Sequence, residues 1–400
     1  MNPHLKRLAQ MPDQKDRLIL GLMSGTSADG LDMALCRVEE QGLNTKCELI
    51  QFESQPYEPE WRDRLIRICS RPKIDSLELV QTHNHLALWH AKQIMSFLKK
   101  NKLDPKEVDL IASHGHTFFH APKSLHQSDS FGNATFQIVD GDHIAHKTGI
   151  ITIHDFRQKH IAAGGEGAPL ALYGDFLLFA HKTKNRILLN IGGISNLSHI
   201  PQGQIFVNCI ASDIGPGNTL MDRWIQHTNP QSTFDKDGEM ASRGTINMSL
   251  LKELKENSFF KIPFPKTTGP ETFHERYLFD AIGKCSASEA ISPEDVMATL
   301  NRFTAESISD VVEALTANEG AELIVSGGGV FNNRLMENIK LLIKDNITML
   351  KSDQIGVPAE AKEAMLFALL ANEMVCGSKV FENGNHKVPG VNLGKISLPD

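Results

Sequence analysis

The sequence lacks the features that mark secreted, membrane-spanning and zinc-finger proteins. Its six cysteines lie far apart and contain no Cys-x-x-Cys pair, which excludes a zinc finger and is typical of a reducing compartment. No apolar run reaches the ~20 residues that a membrane span needs, and residues 1–16 lack the apolar core of a signal peptide. We therefore expect a cytoplasmic protein with no membrane partner.

The chain also lacks a basic run. It has 48 acidic against 41 basic residues and a formal net charge of -7, which argues against a nucleic-acid partner. With 400 residues and 41% hydrophobic content, it can build a large core and is longer than one compact domain usually is. We expect two lobes.

Near the start, two short apolar runs flank a turn of small and hydroxyl residues. The runs are Leu18–Met23 and Met33–Leu35, and the turn between them contains Gly25 and Gly30. This pattern predicts a β-hairpin whose backbone and hydroxyl groups can wrap phosphate oxygens. It is neither a Walker A loop nor a Rossmann fingerprint. Taken alone, it is equally compatible with an ordinary Gly-Ser turn.

The same design recurs in the second half of the chain. Arg186–Ile200 is an apolar strand, a turn at Gly192 and Gly193, and a second strand. Two such hairpins predict two related lobes that each offer a loop to one ligand. A third element runs from the strand Leu323–Ser326 into Gly327–Gly329, where bare backbone is a candidate platform for adenosine.

Between these motifs, strands and helices alternate. We predict a helix over 74–100, a strand over 108–113 that enters a His-rich loop, and a last helix over 359–375. This order indicates the α/β class. The expected lobes are residues 1–158 plus 375–400, with the first phosphate loop, and residues 159–374, with the second loop and the adenosine-side glycines.

Asp213 is the candidate general base. It follows the predicted apolar strand Ile205–Ile210 and stands beside Gly215-Pro216-Gly217. An acid at a strand end lies where open α/β sheets place their ligands. Capping of the following helix is the equally open alternative.

Arg157 and the nearby histidines form a second constellation. Arg157 follows a predicted strand end and suits bidentate capture of a carboxylate or phosphate, whereas the alternative is a surface pair with Asp155. His114, His116 and His120 alternate, but no acid or cysteine at matching spacing completes a zinc site, so we expect no metal ligated directly by protein and favour sugar binding there.

Seven motifs then occur in one order along the chain. They are Met23-Ser24-Gly25-Thr26-Ser27-x-Asp29-Gly30, Ser113-His114-Gly115-x-Thr117, Asp155-Phe156-Arg157, Gly164-Gly165-x-Gly167-Ala168-Pro169-Leu170, Asn190-Ile191-Gly192-Gly193-Ile194-x-Asn196-Leu197, Asp213-x-Gly215-Pro216-Gly217-Asn218 and Gly327-Gly328-Gly329-x-x-Asn332. The series resembles the anhydro-N-acetylmuramic acid kinase family, from about residue 18 to Leu393-Gly394.

The resemblance implies a fold and an activity. The fold is two-lobed and actin-like, a duplicated ribonuclease H-like unit with the active site in the interlobe cleft. The activity is an ATP-dependent sugar kinase of bacterial cell-wall recycling, which converts 1,6-anhydro-N-acetylmuramic acid, ATP and water into N-acetylmuramic acid 6-phosphate and ADP. Magnesium accompanies the nucleotide, and the family suggests a homodimer.

The resemblance also implies a role for each matching residue. Asp213 falls on the catalytic acid that removes a proton from the attacking water. The ATP-binding positions are Gly25, Thr26, Ser27, Ala28, Asp29, Gly30, Leu31 and Asp32 on the first phosphate loop, Gly192 and Gly193 on the second, and Gly327, Gly328 and Gly329 on the adenosine side. The sugar-binding positions are His114, Arg157, Gly217, Asn218 and Glu363, with Arg157 on the lactyl carboxylate.

The chain departs from the family pattern at Ala28, at His116, where Gln is usual, and at Val139, where Gly is expected. His116 bears on sugar selectivity. Two other functions stay open: a kinase of the same fold that acts on a different amino or anhydro sugar, and a non-catalytic nucleotide-binding module.

Overall fold

The computed structural model describes residues 2–126, 128–269, 272–285, 290–316, 319–377, 379–382, 384 and 388–400. The chain divides into two compact units. The first unit is Met1–Ala180, Ile205–Val207 and Glu360–Asp400, and the second is His181–Gln204 and Asn208–Ala359. The lobe boundaries expected at 158/159 and 374/375 differ from this division and stay a prediction.

The first unit is built on a mixed sheet. Numbered along the whole chain, its strands are β1 (Asp16–Ser24), β2 (Gly30–Glu39), β3 (Lys46–Pro56), β4 (Leu110–Ala121), β5 (Ala134–Ile138), β6 (Thr152–His154) and β12 (Lys395–Ser397). Its helices are α1 (Pro3–Gln10), α2 (Pro59–Ile68), α3 (Ser76–Lys100), α4 (Lys123–His126), α5 (Gly141–Thr148), α6 (Phe156–Ala162), α7 (Ala171–Phe179) and α14 (Lys362–Cys376).

The strands of this sheet lie in the order β12-β6-β4-β1-β2-β3, with β5 beside β4. Strands β1, β2 and β3 form an antiparallel meander, and β4 and β6 run parallel to β1. The core includes Leu20, Leu22 and Ile111 of the sheet and Leu86 and Phe97 of α3, each at most 1% exposed. Burial of a side chain of this kind contributes about 1.5–3 kcal/mol to stability.

The second unit contains β7 (Asn185–Ile191), β8 (Ile194–Ile200), β9 (Ile210–Pro216), β10 (Ala321–Ser326) and β11 (Ile347–Lys351). Its helices are α8 (Thr219–Thr228), α9 (Glu239–Arg243), α10 (Met248–Lys255), α11 (Glu275–Cys285), α12 (Pro293–Thr316) and α13 (Asn333–Leu342). The strand order is β11-β10-β7-β8-β9. Its core packs Phe303 and Ile308 of α12 with Ile187, Leu189 and Leu323 of the sheet.

Both units repeat one topology. In each, three consecutive strands form an antiparallel meander. A later strand pairs in parallel with the first strand of that meander, and a second later strand pairs in parallel with the first of the two. This is the ribonuclease H-like order, present twice. The α/β class and the duplicated fold are therefore confirmed.

Local sequence explains where several elements begin and end. The Asp75 side chain accepts a hydrogen bond from Leu77 N at the start of α3, and Asn332 caps α13 by accepting from Leu335 N. The two glycine-turn hairpins, the long helix α3 and the last helix α14 are as expected. Asp and Asn at these positions satisfy N–H groups that a helix start leaves unpaired.

Helix α14 packs directly on the first sheet. A Cβ built on Gly21 of β1 would lie 1.9 Å from the carbonyl oxygen of Ala364. The helix is buried almost continuously from Ala364 to Glu373 because it packs against both the sheet and α7. Only glycine at position 21 permits this approach of strand to helix.

Two sequence expectations about strands are wrong. The His-rich segment is not a loop, because β4 continues to Ala121 and pairs with β5, a partner that local pattern does not reveal. Ile205–Ile210 is not a strand: Phe206 packs against Tyr173, Phe176 and Phe381 in the first unit. Strand β9 begins only at Ile210, so Asp213 lies inside a strand and not after its end.

Val139 occupies a backbone conformation that suits glycine. It lies between β5 and α5 at φ 95°, and its side chain is 6% exposed in the first core. A β-branched residue at positive φ is strained by about 1–3 kcal/mol. The departure from the family pattern at this position is therefore a strained one.

We predict that Val139→Gly is more stable than Val139→Ala by about 1 kcal/mol in free energy of unfolding, because only glycine relieves the strain. Val108 is the matched control, since it is also buried but lies at φ -87°. There the alanine variant should be the more stable by about 0.5–1 kcal/mol. Urea titration of the four variants measures both differences, and the same order at both positions would contradict the strain.

Candidate active site

The first glycine turn joins β1 to β2 and spans Gly25–Asp29. The N–H of Ala28 donates to the Gly25 carbonyl at 3.0 Å, and buried Ala28 lies at φ 54°. Thr26 and Ser27 are exposed at the tip of the turn. The turn thus closes on itself and presents two hydroxyls, as a phosphate-binding loop requires.

A chain of four buried side chains supports the start of this turn. The Ser24 Oγ lies 2.9 Å from His116 Nδ1 and 2.9 Å from the Tyr57 hydroxyl, which lies 3.0 Å from His90 Nε2. Burial lowers the pKa of His90 to about 3 and that of His116 to about 4. Both imidazoles are therefore neutral near pH 7. His116 thus contacts the residue that precedes the turn.

Arg157 and His114 contact each other in the first unit. The Arg157 Nε donates to His114 Nε2 at 3.0 Å, and Nη1 donates to the Gly167 carbonyl at 2.7 Å. Burial lowers the pKa of Arg157 to about 10, and burial together with the nearby guanidinium lowers the pKa of His114 well below its usual value. The alternative that Arg157 forms a surface pair with Asp155 is therefore wrong, because Asp155 pairs with Lys395.

Two carboxylates of the first unit, those of Asp32 and Glu363, have raised pKa values. Burial raises the pKa of Asp32, and the charges of Asp29 and Glu360 raise it further although a hydrogen bond from Ser54 opposes this. Desolvation by the surrounding protein raises the pKa of Glu363, although part of that side chain stays exposed. The charge of Asp32 adds to this rise. Glu360 is exposed.

Sequence reasoning missed an ion pair that holds the start of α14. Lys362 Nζ lies 2.9 Å from Asp175 Oδ1, and Asp175 is 2% exposed. The signal was a single acid in the otherwise apolar helix α7. Because Lys362 precedes Glu363, the pair fixes the first turn of α14 beside Asp32 and Arg157, whose charges both act on Glu363.

In the second unit, the turn Gly192-Gly193 packs on the loop after β9. The N–H of Gly217 donates to the Gly193 carbonyl at 2.8 Å, and that of Asn218 donates to the Gly192 carbonyl at 2.8 Å. A Cβ on Gly217 would lie 2.3 Å from the Gly192 carbonyl oxygen. The predicted second phosphate loop and the predicted sugar-binding residues Gly217 and Asn218 therefore form one backbone surface.

The three glycines after β10 reach the same edge of the second sheet. Gly327 lies at φ 88°, and a Cβ there would lie 2.7 Å from the Ile191 carbonyl oxygen. A Cβ on Gly329 would lie 2.2 Å from the Ile191 side chain. Backbone therefore replaces side chains here, as the adenosine platform requires.

A cavity of about 480 Å³ opens beside these glycines. Its walls are Asn218, Met221, Asp222, Phe234, Asp235, Lys236, Asp237, Gly328, Phe331 and Asn332, all in the second unit. Phe331 is 74% exposed. A cavity of this volume with apolar, aromatic and a few polar groups suits a nucleoside.

Asp213 lies on β9 opposite Asn196 of β8. Its carboxylate Oδ2 accepts a hydrogen bond from the N–H of Thr268 at 2.8 Å, and its own N–H donates to the Lys266 carbonyl at 2.9 Å. Through these hydrogen bonds Asp213 contacts the 266–268 segment. Sequence reasoning missed that segment, because it carries no periodicity.

The structure thus places the predicted residues in two sets. Asp32, His114, Arg157 and Glu363 lie in the first unit with the turn Gly25–Asp29. The second unit holds Asp213, Gly217, Asn218 and the glycines of the β7–β8 turn and the segment after β10. Each set combines close-packed backbone with polar side chains.

A family model described as anhydro-N-acetylmuramic acid kinase matches residues 17–385. Curated proteins of that name resemble the chain over almost all of its length. The one from Pseudoalteromonas atlantica is 44% identical over 402 residues, with 100% of both chains covered. The one from Caldanaerobacter subterraneus subsp. tengcongensis is 38% identical, with 98% of this chain and 100% of the relative covered.

Among solved structures, the activator of the 2-hydroxyisocaproyl-CoA dehydratase from Clostridium difficile with bound ADPNP overlaps at a TM-score of 0.41. It is 10% identical, with 92% of this chain and 98% of that chain covered. In the part of the chain that the structure describes, each helix is too short or too polar to span a bilayer.

Asp222 allows a stability test of the cavity wall. Burial raises its pKa to about 6 from an ordinary value of 3.8. The folded protein therefore holds this proton more tightly than the unfolded chain, so the ionised carboxylate costs stability as pH rises from about 4 to 6, and the full cost persists above that range.

We predict that Asp222→Asn raises the free energy of unfolding of the ligand-free protein by about 1–3 kcal/mol near pH 7.5. The gain should shrink towards about pH 4.5, where the native carboxyl is protonated. Urea titration at the two pH values measures this change. Asp345→Asn, at an exposed position of the same unit, is the control and should leave the free energy of unfolding unchanged at both pH values. An equal gain at both pH values would contradict the raised pKa.

Proposed function

The chain belongs to the anhydro-N-acetylmuramic acid kinase family, and we propose that it catalyses the reaction of that name. In this reaction ATP and water act on 1,6-anhydro-N-acetylmuramic acid. The products are N-acetylmuramic acid 6-phosphate and ADP. The sugar is a fragment of bacterial cell wall, so the reaction serves cell-wall recycling.

The placement of Asp213 carries this proposal. Its strand ends at Pro216 and leads directly into Gly217 and Asn218, whose N–H groups donate to the Gly192-Gly193 turn. The Thr268 N–H fixes one carboxylate oxygen at 2.8 Å. An oriented carboxylate next to a glycine-rich phosphate loop suits a general base that works beside ATP.

Two displacement steps then follow in order. Asp213 takes a proton from a water whose oxygen attacks the anomeric carbon, and the bond from that carbon to O6 breaks. The freed O6 attacks the γ-phosphorus of ATP, and ADP leaves with the electron pair of the broken P–O bond. Phosphoryl transfer captures the charge that develops on O6, so a separate general acid is not needed.

ATP binds along the glycine turns in this proposal. The cavity beside Gly328 and Phe331 holds the adenosine, because it offers bare backbone and an aromatic ring at the required volume. The Gly192-Gly193 turn binds phosphate oxygens in the second unit, and the turn Gly25–Asp29 binds them in the first. ATP is the cofactor common to kinases of this family.

Magnesium is proposed to accompany the nucleotide. Asp29 and Asp32, at the first turn, are the carboxylates that fit a hydrated magnesium ion, since Mg²⁺ prefers oxygen and keeps several waters. Burial raises the pKa of Asp32, and the charges of Asp29 and Glu360 raise it further. Bound magnesium would supply charge neutralisation for the phosphates.

Sugar recognition is assigned to both sets of polar residues. Arg157 binds the lactyl carboxylate, and its guanidinium is oriented by His114 and the Gly167 carbonyl. Glu363 accepts hydrogen bonds from sugar hydroxyls, and Gly217 and Asn218 contact the sugar from the second unit. A non-catalytic nucleotide-binding module would not need this set.

The first experiment is incubation with Mg-ATP and 1,6-anhydro-N-acetylmuramic acid in ¹⁸O water, followed by mass spectrometry. We expect a 6-phosphate with one ¹⁸O at the anomeric carbon. Asp213→Asn should lower the rate by about 10²–10⁴-fold because it removes the general base. Asp345→Asn is the matched acid-to-amide control.

Phosphorylation without label would show a conventional sugar kinase of the same fold. ADP formation that is independent of sugar, and equal in Asp213→Asn, would show a nucleotide-binding module instead. Either result would overturn the proposed reaction.

A second experiment tests the lactyl carboxylate. Arg157→Lys should raise the KM for 1,6-anhydro-N-acetylmuramic acid by about tenfold or more, because a charged hydrogen bond contributes about 1.5–3 kcal/mol. The KM for ATP should stay unchanged. With 1,6-anhydro-N-acetylglucosamine, which lacks the lactyl group, the native protein and the variant should bind alike. An equal loss with both sugars would show that Arg157 does not bind the carboxylate.

A further inference from the structure

A buried lysine lies in the segment that holds Asp213. Lys266 is 7% exposed, and its Nζ donates to the Phe259 carbonyl at 3.0 Å. The same atom lies 4.2 Å from the centre of the Phe259 ring, 4.8 Å from that of Phe264 and 5.7 Å from that of Phe260. Among the described residues, no carboxylate lies within ion-pair distance of this ammonium group.

An ammonium in such a place is costly. Burial lowers the pKa of Lys266, since removal of a charge from water is unfavourable unless it is paired. Cation–π contacts offset part of this cost. A methionine would fill the same space without the cost of a buried charge, so stability alone does not explain a lysine here.

The backbone of Lys266 binds the residues at the proposed catalytic centre. Its carbonyl accepts from Asp213 N at 2.9 Å and from Ser212 Oγ at 3.1 Å. Its N–H donates to Ser212 Oγ at 3.0 Å. Two residues later, Thr268 N donates to Asp213 Oδ2. The three phenylalanine rings around the ammonium form an aromatic cage. The segment 259–268 thus carries this cage at one end and the hydrogen bond to the Asp213 carboxylate at the other.

We propose that Lys266 is a positioning residue for Asp213. Its caged ammonium fixes residues 259–266 against β9, and this register places the Thr268 N–H on the Asp213 carboxylate. Loss of the cage contact lets the segment shift and the carboxylate rotate away from the reacting water. The inference rests on the proposed role of Asp213.

The test is a double-mutant cycle of Lys266→Met and Asp213→Asn in the full chain. Lys266→Met should lower kcat by about 10–100-fold, with the KM for ATP within about twofold. Its free energy of unfolding should be equal or higher, because a buried charge is replaced by an apolar group of similar size. Lys266→Arg keeps the cation–π contacts and should restore kcat to within about threefold.

The double variant should be no slower than Asp213→Asn, since Lys266 acts only through that carboxylate. The inference would be overturned if the two losses of kcat multiplied in the double variant, or if Lys266→Met were stable and had the native kcat. In either case an inactive Asp213→Asn would leave the proposed function intact. Native turnover by Asp213→Asn would overturn the proposed base and the inference together.

Should Lys266→Met not fold, Phe264→Leu provides the second route, because it removes one ring of the cage and leaves the charge. It should lower kcat by about three- to tenfold without a change in the KM for ATP. A folded Phe264→Leu with native kcat would then overturn the inference.

Discussion

The approach of β1 to α14 at Gly21 is the constraint on which the first unit depends. A Cβ at this position would lie 1.9 Å from the Ala364 carbonyl oxygen, so strand and helix meet backbone to backbone. Lys362 and Glu363 belong to the same helical turn, and the Asp175 ion pair holds them there. The second unit uses the same device where Gly217 meets Gly192. In each unit, the glycine contact fixes where the polar side chains lie.

The repeated topology separates what the two units share from what they do not. Each places a glycine turn between the first and second strands of its meander, at β1–β2 and at β7–β8. The chemistry differs because different strands carry it. In the first unit, His114 lies on β4 and Arg157 follows β6, whereas in the second unit the acid lies on β9. Duplication therefore accounts for the two turns, and later residues give each unit its own role.

The sequence predicted what depends on neighbouring residues. The glycine turns and α14 follow from local spacing, and Arg157 was found because it stands at a strand end. The 266–268 segment was missed because its partner Ser212 lies 54 residues away, and local pattern carries no information on such a pairing. The strand expected at 205–210 failed for a related reason: Phe206 packs in the first core, so its apolar character reflects a distant contact. The Asp175–Lys362 pair was likewise beyond local reasoning.

The buried chain of His90, Tyr57, Ser24 and His116 has a direction. Among the described residues, His90 Nδ1 has no hydrogen-bond partner, and a bare buried acceptor costs less than a bare N–H. The His90 proton therefore sits on Nε2 and points to Tyr57. Tyr57 then donates to Ser24, and Ser24 donates to His116 Nδ1. The Ser24 hydroxyl proton is thus already committed, so of the hydroxyls of Ser24, Thr26 and Ser27 only those of Thr26 and Ser27 remain to donate to an anion.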